Sequence, residues 1–550
     1  MSEHSLYERV MAAAGAAARP KPRPPRASAA VVLWRPAGEG DGVEVYWVQR
    51  AESQAFMGGW HAFPGGGVSS ADLAVPVQGM PEGLDERLSS AEAFPDSLAE
   101  GLPEGTVLEP DLVPGLLACT IRELFEETGV LLVEELLPDR AEGPVASAAA
   151  LETARRRLTS GEARFSEVIA ELGLTPDASS LVFAGRWLTP PFAPLRFDTR
   201  FFLLAWPRRA ALQPTFDRDE CAAGEWLPPD EAVERWRQGE VIAAPPVLHL
   251  LRVLAEDGPE AGLPRLRHPA EADLGPYRRI EFRPGVVLLP VATRTLPPAD
   301  RTNAYLLGTG DRVLVDPGSD DPTEIDRLEA AARALQAGGE GRVTAIWLTH
   351  HHPDHVGGVA ELRRRLDVPV AAHRRTAELL AGRGVEVDRE LADGERVVLA
   401  GEPPFPLTVL HTPGHAPGHL CFFDETWGSL LTGDMVTGLG TVVIDPPLGD
   451  MDDYLASLDR LLALAPRTLF PAHGPAIRDA AGKLRELAAH RHWREERVLA
   501  AWRDGLREPA AMLPRVYDDV PREAWPLAER QILAHLERLR RAGRLDEAGE

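Results

Sequence analysis

The chain has 550 residues, too many for one hydrophobic core, and that length predicts three or four domains. Hydrophobic residues make up 44% and charged residues 26%, an ordinary globular balance, while a formal net charge of -25 argues against a broadly basic nucleic-acid surface. Three cysteines, Cys119, Cys221 and Cys421, lie far apart and in no paired spacing, which argues against a disulfide framework or a cysteine-built zinc site.

Residues 1–25 read as a flexible lead-in, with a Lys/Arg/Pro cluster from Arg19 to Arg26 and no signal peptide. No run has the length of a transmembrane helix, so no membrane partner and a cytoplasmic location are expected. Ala27–Trp34 and Val43–Gln49 have strand composition around a Gly/Asp-rich turn, which predicts a pair. A Gly-rich loop, WHAFPGGGVSSAD, and a polar Pro/Gly-rich stretch from about Ala74 to Pro114 follow. Helical pattern runs from there to about Gly173, and strand-like runs resume at Leu181–Leu188 and Arg200–Trp206. A Pro/Gly-rich linker lies around Asp257 to Pro276. From Arg278, short apolar runs such as VLVDPG and AIWLTH alternate with helical patterns, an α/β arrangement with buried sheets. From Lys483 the chain is rich in Arg, Glu, Leu and Trp at helical spacing. The expected division is a lead-in (1–25), a first domain with an insertion (26–255), a linker (256–277), a second domain (278–482) and a small helical domain (483–550).

Two stretches carry chemistry. In IRELFEETGV, Ile121 to Val130, a helix places Glu123, Glu126 and Glu127 at i, i+3 and i+4 on one face. Three adjacent carboxylates repel unless a cation sits among them, and hard oxygen ligands suit Mg²⁺ or Mn²⁺. The glycines upstream let backbone approach a phosphate. Together RELFEETG and the glycine loop resemble the Nudix box of pyrophosphohydrolases. If Gly66 is the box glycine, Asp72 stands where a glutamate is usual, and a long insertion separates loop from helix. Such an interrupted box is similar to that of the Nudix hydrolases that cleave coenzyme A and its esters. RFDTRFFL, Arg196 to Leu203, and EWLPPDEAV, Glu225 to Val233, look like that branch too. The resemblance covers roughly residues 26 to 255. It implies an α/β/α sandwich in which Glu123, Glu126 and Glu127 bind metal and Glu123 and Glu127 take part in catalysis. Arg122 would hold the helix geometry by pairing with a carboxylate. The substrate would be coenzyme A or a nucleoside diphosphate derivative. The alternative is a nucleotide-binding module that regulates the downstream domain.

The second stretch is LTHHHPDHVGG, Leu348 to Gly358. On an extended backbone His350 and His352 point to the same side and can reach one metal ion. Asp354 and His355 follow where Pro353 ends the strand and a helix is expected to start. Downstream, LHTPGHAPGHLCF offers His415, LLTGDMV offers Asp434 after a strand, and FPAHGP offers His473. A shared carboxylate can hold two cations roughly 4 Å apart, a setting that makes water nucleophilic at neutral pH. The constellation resembles the metallo-β-lactamase superfamily over roughly Arg278 to Arg478. It implies an αββα fold and two zinc ions, with iron or manganese as alternatives. One ion would be held by His350, His352 and His415, the other by Asp354, His355 and His473, with Asp434 between them and Asp354 also catalytic. His351, His411 and His419 fall outside that set, and Asp316 would position a ligand. Having both Asp354 and His355 looks more like glyoxalase II and the nuclease branches than like true β-lactamases. The third segment looks like the winged-helix-like tail of the β-lactamase-like protein 2 family, which includes single-stranded RNA endonucleases. The reading is a bifunctional metal-dependent hydrolase of an ester, thioester or phosphodiester and of a diphosphate, with an endoribonuclease acting on RNA as an alternative for the second domain.

Overall fold

The computed structural model describes residues 24–38, 42–52, 54, 57–84, 112–133, 147–190, 193, 195–208, 213–217, 220–269, 273–274 and 277–545. The expected lead-in over residues 1–23 and the middle of the Pro/Gly-rich stretch, residues 85–111, lie outside them. The described residues form two compact units, divided between Pro284 and Gly285, and each is described by itself.

In the first unit, Arg26–Pro36 is apolar at successive positions, so both of its faces need cover. Ala29, Val31 and Leu33 pack on one side with Leu117, Ile121, Leu124 and Phe125. Ala30 and Val32 pack on the other with Trp236, Leu250 and Leu251. A sheet between two helical layers results, the expected α/β/α sandwich. Along it run His61–Ala62, Val43–Arg50, Arg26–Pro36, Phe197–Ala205 and Val182–Leu188, with Gly65–Gly67 also paired to Arg26–Pro36 and Cys221–Leu227 to Val43–Arg50. The expected pairing of the first two long strands is present, with Leu33 opposite Tyr46. The parallel partner of Arg26–Pro36 is Phe197–Ala205, in register from Arg26↔Phe197 to Trp34↔Ala205. The helix Val113–Thr128 ends where Gly129 takes φ +74° and its N–H closes onto Phe125 O, a left-handed stop that favours glycine. Where the Pro/Gly-rich linker is expected, two short helices lie instead, Gly258–Ala261 and Leu263–Arg267, each with proline in its first turn.

The second unit has two sheets. One runs Val286–Ala292, Arg301–Leu307, Asp311–Val315, Arg342–Trp347, Val370–Ala372 and Arg389–Glu390. The other runs Arg396–Leu399, Phe405–His411, Leu420–Asp424, Ser429–Gly433 and Thr468–Pro471. Trp347 and Phe422 meet between the sheets with ring centroids 5.1 Å apart. The helix Met451–Ala463 packs Leu455, Leu458 and Leu461 against Leu410, Leu430 and Leu469 of the second sheet. Helices Pro322–Ala337 and Val359–Leu366 lie against the first. This is the expected αββα layering. Three further helices, Ala480–Arg503, Pro509–Val516 and Trp525–Arg541, share a core built on Val498, Met512, Val516, Ile532 and Leu539, and no strand follows residue 480 among the described residues. The three cysteines are buried and free. No helix among the described residues is long and apolar enough to cross a membrane.

Candidate metal centre

The strand Arg342–Trp347 stops short of His350, and Pro353 opens the one-turn helix Pro353–Val356. The histidine run therefore lies on the connection between them, at the end of the sheet. Ser429–Gly433 and Thr468–Pro471 end beside it and deliver Asp434 and His473. The loop after Phe405–His411 delivers His415.

Two donor groups form there, each with ligand atoms within 4.8 Å of one another. One comprises His350, His352, His415 and Asp434, the other Asp354, His355 and His473, and all seven residues are buried. His352 Nδ1 lies 2.9 Å from His350 Nε2 and 2.9 Å from His415 Nε2. Asp434 stands between the groups. Its Oδ2 is 3.5 Å from His415 Nε2, and its Oδ1 is 3.5 Å from both His355 Nε2 and His473 Nε2. Asp354 Oδ2 is 3.6 Å from His473 Nε2.

The outer edges of the imidazoles fix which nitrogen faces the centre. His415 Nδ1 donates to Val443 O at 2.7 Å, and His473 Nδ1 donates to Arg301 O at 2.9 Å. His355 Nδ1 donates to Asp316 Oδ2 at 2.8 Å. Thr349 gives its hydroxyl to the same Asp316 oxygen at 2.6 Å, which leaves its Oγ to accept from His350 Nδ1 at 2.9 Å. Carbonyls and carboxylates only accept, so in these four rings Nδ1 carries a proton and Nε2 is the nitrogen that faces inward. His419 serves the same centre from behind, with Nε2 accepting the Asp434 N–H at 3.1 Å and Nδ1 beside Thr412 Oγ1.

Electrostatics fit a cation. Burial, with the neighbouring imidazoles, holds His350 and His352 well below the ordinary histidine range, hence neutral. His355 is opposite: burial pushes it down, but the carboxylates of Asp434, Asp316 and Asp354 outweigh this and raise it. Burial would raise Asp434, yet His473, His355 and His415 hold it well below the carboxylate range. Both oxygens of Asp354, Oδ1 of Asp434 and Nε2 of His355 are buried and make no hydrogen bond among the described residues. Converging lone pairs and unmatched carboxylate oxygens are what a pair of divalent cations satisfies. His351 is buried beside His352 but in neither donor group, and His411 stacks on His373 at 4.1 Å with its Nε2 on Pro417 O.

The first unit holds the glutamates differently. Glu123, Glu126 and Glu127 lie on the helix Val113–Thr128 against Gly65–Gly67, and they are in neither convergent group. The positive charge among them is Arg122, whose Nη1 donates to Glu123 at 2.8 Å and to Glu126 at 2.7 Å. Its Nε and Nη2 grip both oxygens of buried Asp72 at 2.7 and 3.0 Å. Asp72 thus ties the glycine loop to the helix across the insertion. Glu127 Oε2 accepts the Gly65 N–H at 3.1 Å. Burial raises all three glutamates, with Arg122 partly offsetting it at Glu123 and Glu126; Glu126 is pushed up to about 7, and Glu127, with the Glu123 charge beside it, lies well above its usual value. Carboxyls that titrate so high are under-neutralised, which suits a hard cation at this face.

Comparison with known proteins gives a family match in each unit. Residues 297–473 match the Metallo-beta-lactamase superfamily model. A beta-lactamase-like protein 2 homolog of Drosophila melanogaster is 31% identical over 256 residues, covering 44% of this chain and 84% of that protein. The chain belongs to the metallo-β-lactamase superfamily. This metallo-β-lactamase-fold hydrolase also carries a Nudix domain: residues 8–254 match the NUDT19 Nudix domain, and residues 509–550 match the beta-lactamase associated winged helix domain. An atrochrysone carboxyl ACP thioesterase of Claviceps purpurea is 31% identical over 201 residues, covering 36% of this chain and 59% of that protein. A Nudix hydrolase structure from Alicyclobacillus acidocaldarius is 28% identical, spanning 44% of this chain and 97% of that one, with a TM-score of 0.35.

Proposed function

We propose that the chain is a bifunctional hydrolase whose metallo-β-lactamase centre cleaves a thioester and whose Nudix centre cleaves a diphosphate such as that of coenzyme A. The observation that carries the first activity is the position of Asp434, one oxygen toward each donor group. Under this reading His350, His352 and His415 hold one zinc ion, and Asp354, His355 and His473 the other, with Asp434 shared. Bound there, the cations would polarise a carbonyl and lower the pKa of water. Four of the imidazoles are held in orientation because their Nδ1 hydrogens are committed to Val443 O, Arg301 O, Asp316 and Thr349. Asp354, with neither oxygen hydrogen-bonded, is free to orient a proton as well as a cation. The thioester assignment draws on the thioesterase relative named above. An acyl-coenzyme A carries both bonds, a thioester at one end and a diphosphate within, so one substrate class accounts for the pairing.

In the Nudix domain Glu123, Glu126 and Glu127 hold Mg²⁺ or Mn²⁺ once Arg122 shares them, and Glu123 and Glu127 direct water at the diphosphate. One observation favours a second reading for this domain. Arg122 already bonds two of the glutamates, which fits a module that binds a nucleotide without cleaving it.

The test is a hydrolysis panel on the full chain with acyl-coenzyme A, coenzyme A, ADP-ribose, a glutathione thioester and a short single-stranded RNA. Thioester hydrolysis should vanish in His352→Ala alone and diphosphate hydrolysis in Glu127→Gln alone. No diphosphate turnover in the wild type, or turnover that survives Glu127→Gln and is lost in His352→Ala, favours the binding module. RNA cleavage lost in His352→Ala, with thioesters untouched, overturns the thioesterase assignment.

A further inference from the structure

The segment Val442–Asp445 has no regular secondary structure, yet it is buried. Its main-chain carbonyls must therefore find partners elsewhere in the protein. Three successive ones do so. Val442 O accepts from Arg491 Nη2 at 2.6 Å, Val443 O accepts from His415 Nδ1 at 2.7 Å, and Ile444 O accepts from Gln531 Nε2 at 3.0 Å. The outer two partners belong to the C-terminal helices Ala480–Arg503 and Trp525–Arg541. Arg491 Nη1 also donates to Gln531 Oε1 at 3.1 Å, so the two side chains form one brace. Both are buried, at 2% and 4% exposure, in a position where a lost hydrogen bond is not replaced by water.

In an extended chain alternate carbonyls point to opposite sides. The brace holds the carbonyls before and after Val443, and the Val443 carbonyl points the other way, at the metal-site imidazole. Its neighbours reinforce the hold. The Val443 side chain packs against Leu527, and Arg530 binds Asp445 Oδ1 and Pro446 O. Arg491 also lies over the Tyr454 ring, whose hydroxyl donates at 3.0 Å to Met435 O, next to Asp434.

We propose that Arg491 and Gln531 are positioning residues of the metal centre, fixing Val442–Ile444 so that Val443 O holds His415 in its ligating tautomer and orientation. The C-terminal helices are then a working part of one ion site and not only a cap on the domain. This rests on the metal-centre reading above.

The test uses the full chain in five forms: wild type, Gln531→Met, Gln531→Glu, Arg491→Lys and Arg544→Met. Gln531→Glu keeps the acceptor for Arg491, removes the donor to Ile444 O and adds a charge that Arg491 faces, whereas Gln531→Met removes both hydrogen bonds without a charge. Arg491→Lys keeps a donor near Val442 O. Arg544 pairs with Glu495 and Glu496 of the helix Ala480–Arg503 and not with the segment's carbonyls, so its variant reports plain destabilisation. Zinc affinity is measured by competition with a chromogenic chelator, ligand geometry by the visible spectrum of the cobalt-loaded protein, and folding by circular dichroism. In both Gln531 variants one of two zinc equivalents should weaken by about 10- to 100-fold, the other should hold, and the cobalt bands should change. Arg491→Lys should lie between these and wild type, and Arg544→Met should lose melting temperature but keep both affinities. Folded Gln531 variants with wild-type affinities and spectra overturn the positioning role, as does equal weakening of both ions or of the Arg544→Met control. A wild type that takes up no zinc overturns the metal-centre reading itself, a distinguishable failure.

Discussion

Asp316 sits at φ +49°, a left-handed conformation that aspartate tolerates better than most side chains. The reward is a carboxylate that accepts the Thr349 N–H on Oδ1 and both the Thr349 hydroxyl and His355 Nδ1 on Oδ2. Asparagine there would turn its oxygen toward the Thr349 N–H, leaving its NH₂ against His355. That forces the proton of His355 onto Nε2 and closes its inward lone pair. Asp316→Asn is therefore expected to purify with one zinc per chain instead of two, read by elemental analysis; two would show that the tautomer is not set by Asp316. Gly66 offers a parallel case in the Nudix domain. A Cβ there would stand 2.3 Å from the Glu123 carboxyl, a flexible side-chain end and not backbone. Gly66→Ala should fold, displace Glu123 and lower diphosphate turnover by at least about 10-fold, the scale of one misplaced catalytic group, while thioester turnover is unchanged. At this scale the sequence is informative wherever chemistry sits in the side chain. His350, His352, His415 and Asp434 are brought together as their motifs suggest. Val443 and Arg301 are invisible in it, because any residue type can supply a main-chain carbonyl.

Among the elements, the helices Ala480–Arg503 and Trp525–Arg541 are joined by Glu495, a carboxylate only 2% exposed. It accepts from Arg538 at 2.5 Å and Arg544 at 3.0 Å, with His535 Nδ1 3.6 Å away. Burial alone would raise its pKa, but His535 and Arg538 bring it from 4.5 down to about 2. A depression of that size corresponds to about 3 kcal/mol of stability. Because the folded value is the lower one, the contribution is complete above pH 4.5 and disappears as pH falls through 2. Glu495→Gln should accordingly unfold at lower denaturant than wild type near pH 7, and the gap should close between pH 4.5 and 2. A gap that stays constant over that range would mean that packing, not charge, joins the helices. Elements with a clear local signal were legible: Arg26–Pro36 and Val43–Arg50 fall where strand composition around a Gly/Asp-rich turn places them, and the glutamate helix where i, i+3, i+4 spacing does. The parallel pairing of Arg26–Pro36 with Phe197–Ala205 was not, since a partner some 170 residues away leaves no local pattern. The short helices after Glu256 were hidden for a different reason. Their prolines and glycines read as a linker, yet proline is well suited to a first helical turn.

For the molecule as a whole, the two centres differ in the kind of cation that they invite. The metallo-β-lactamase centre presents five inward imidazole nitrogens and two carboxylates, a borderline-soft set that favours zinc. The Nudix face presents carboxylates alone, already shared with Arg122 and with Glu126 titrating at about 7, so a cation there competes with a guanidinium and with protons. Small, strongly hydrated Mg²⁺ bridging carboxylate and substrate phosphate suits such a face, and weak binding to the free protein is expected. Stripping the full chain of metal with a strong chelator should abolish both activities. Near-stoichiometric Zn²⁺ should then restore thioester hydrolysis alone. Millimolar Mg²⁺ should restore diphosphate hydrolysis alone, with a requirement that eases as pH rises past 7 and Glu126 gives up its proton. Restoration of both activities by one ion at one concentration would show that the donor sets do not discriminate, and diphosphate hydrolysis that persists without any added metal would show that Arg122 supplies the positive charge by itself.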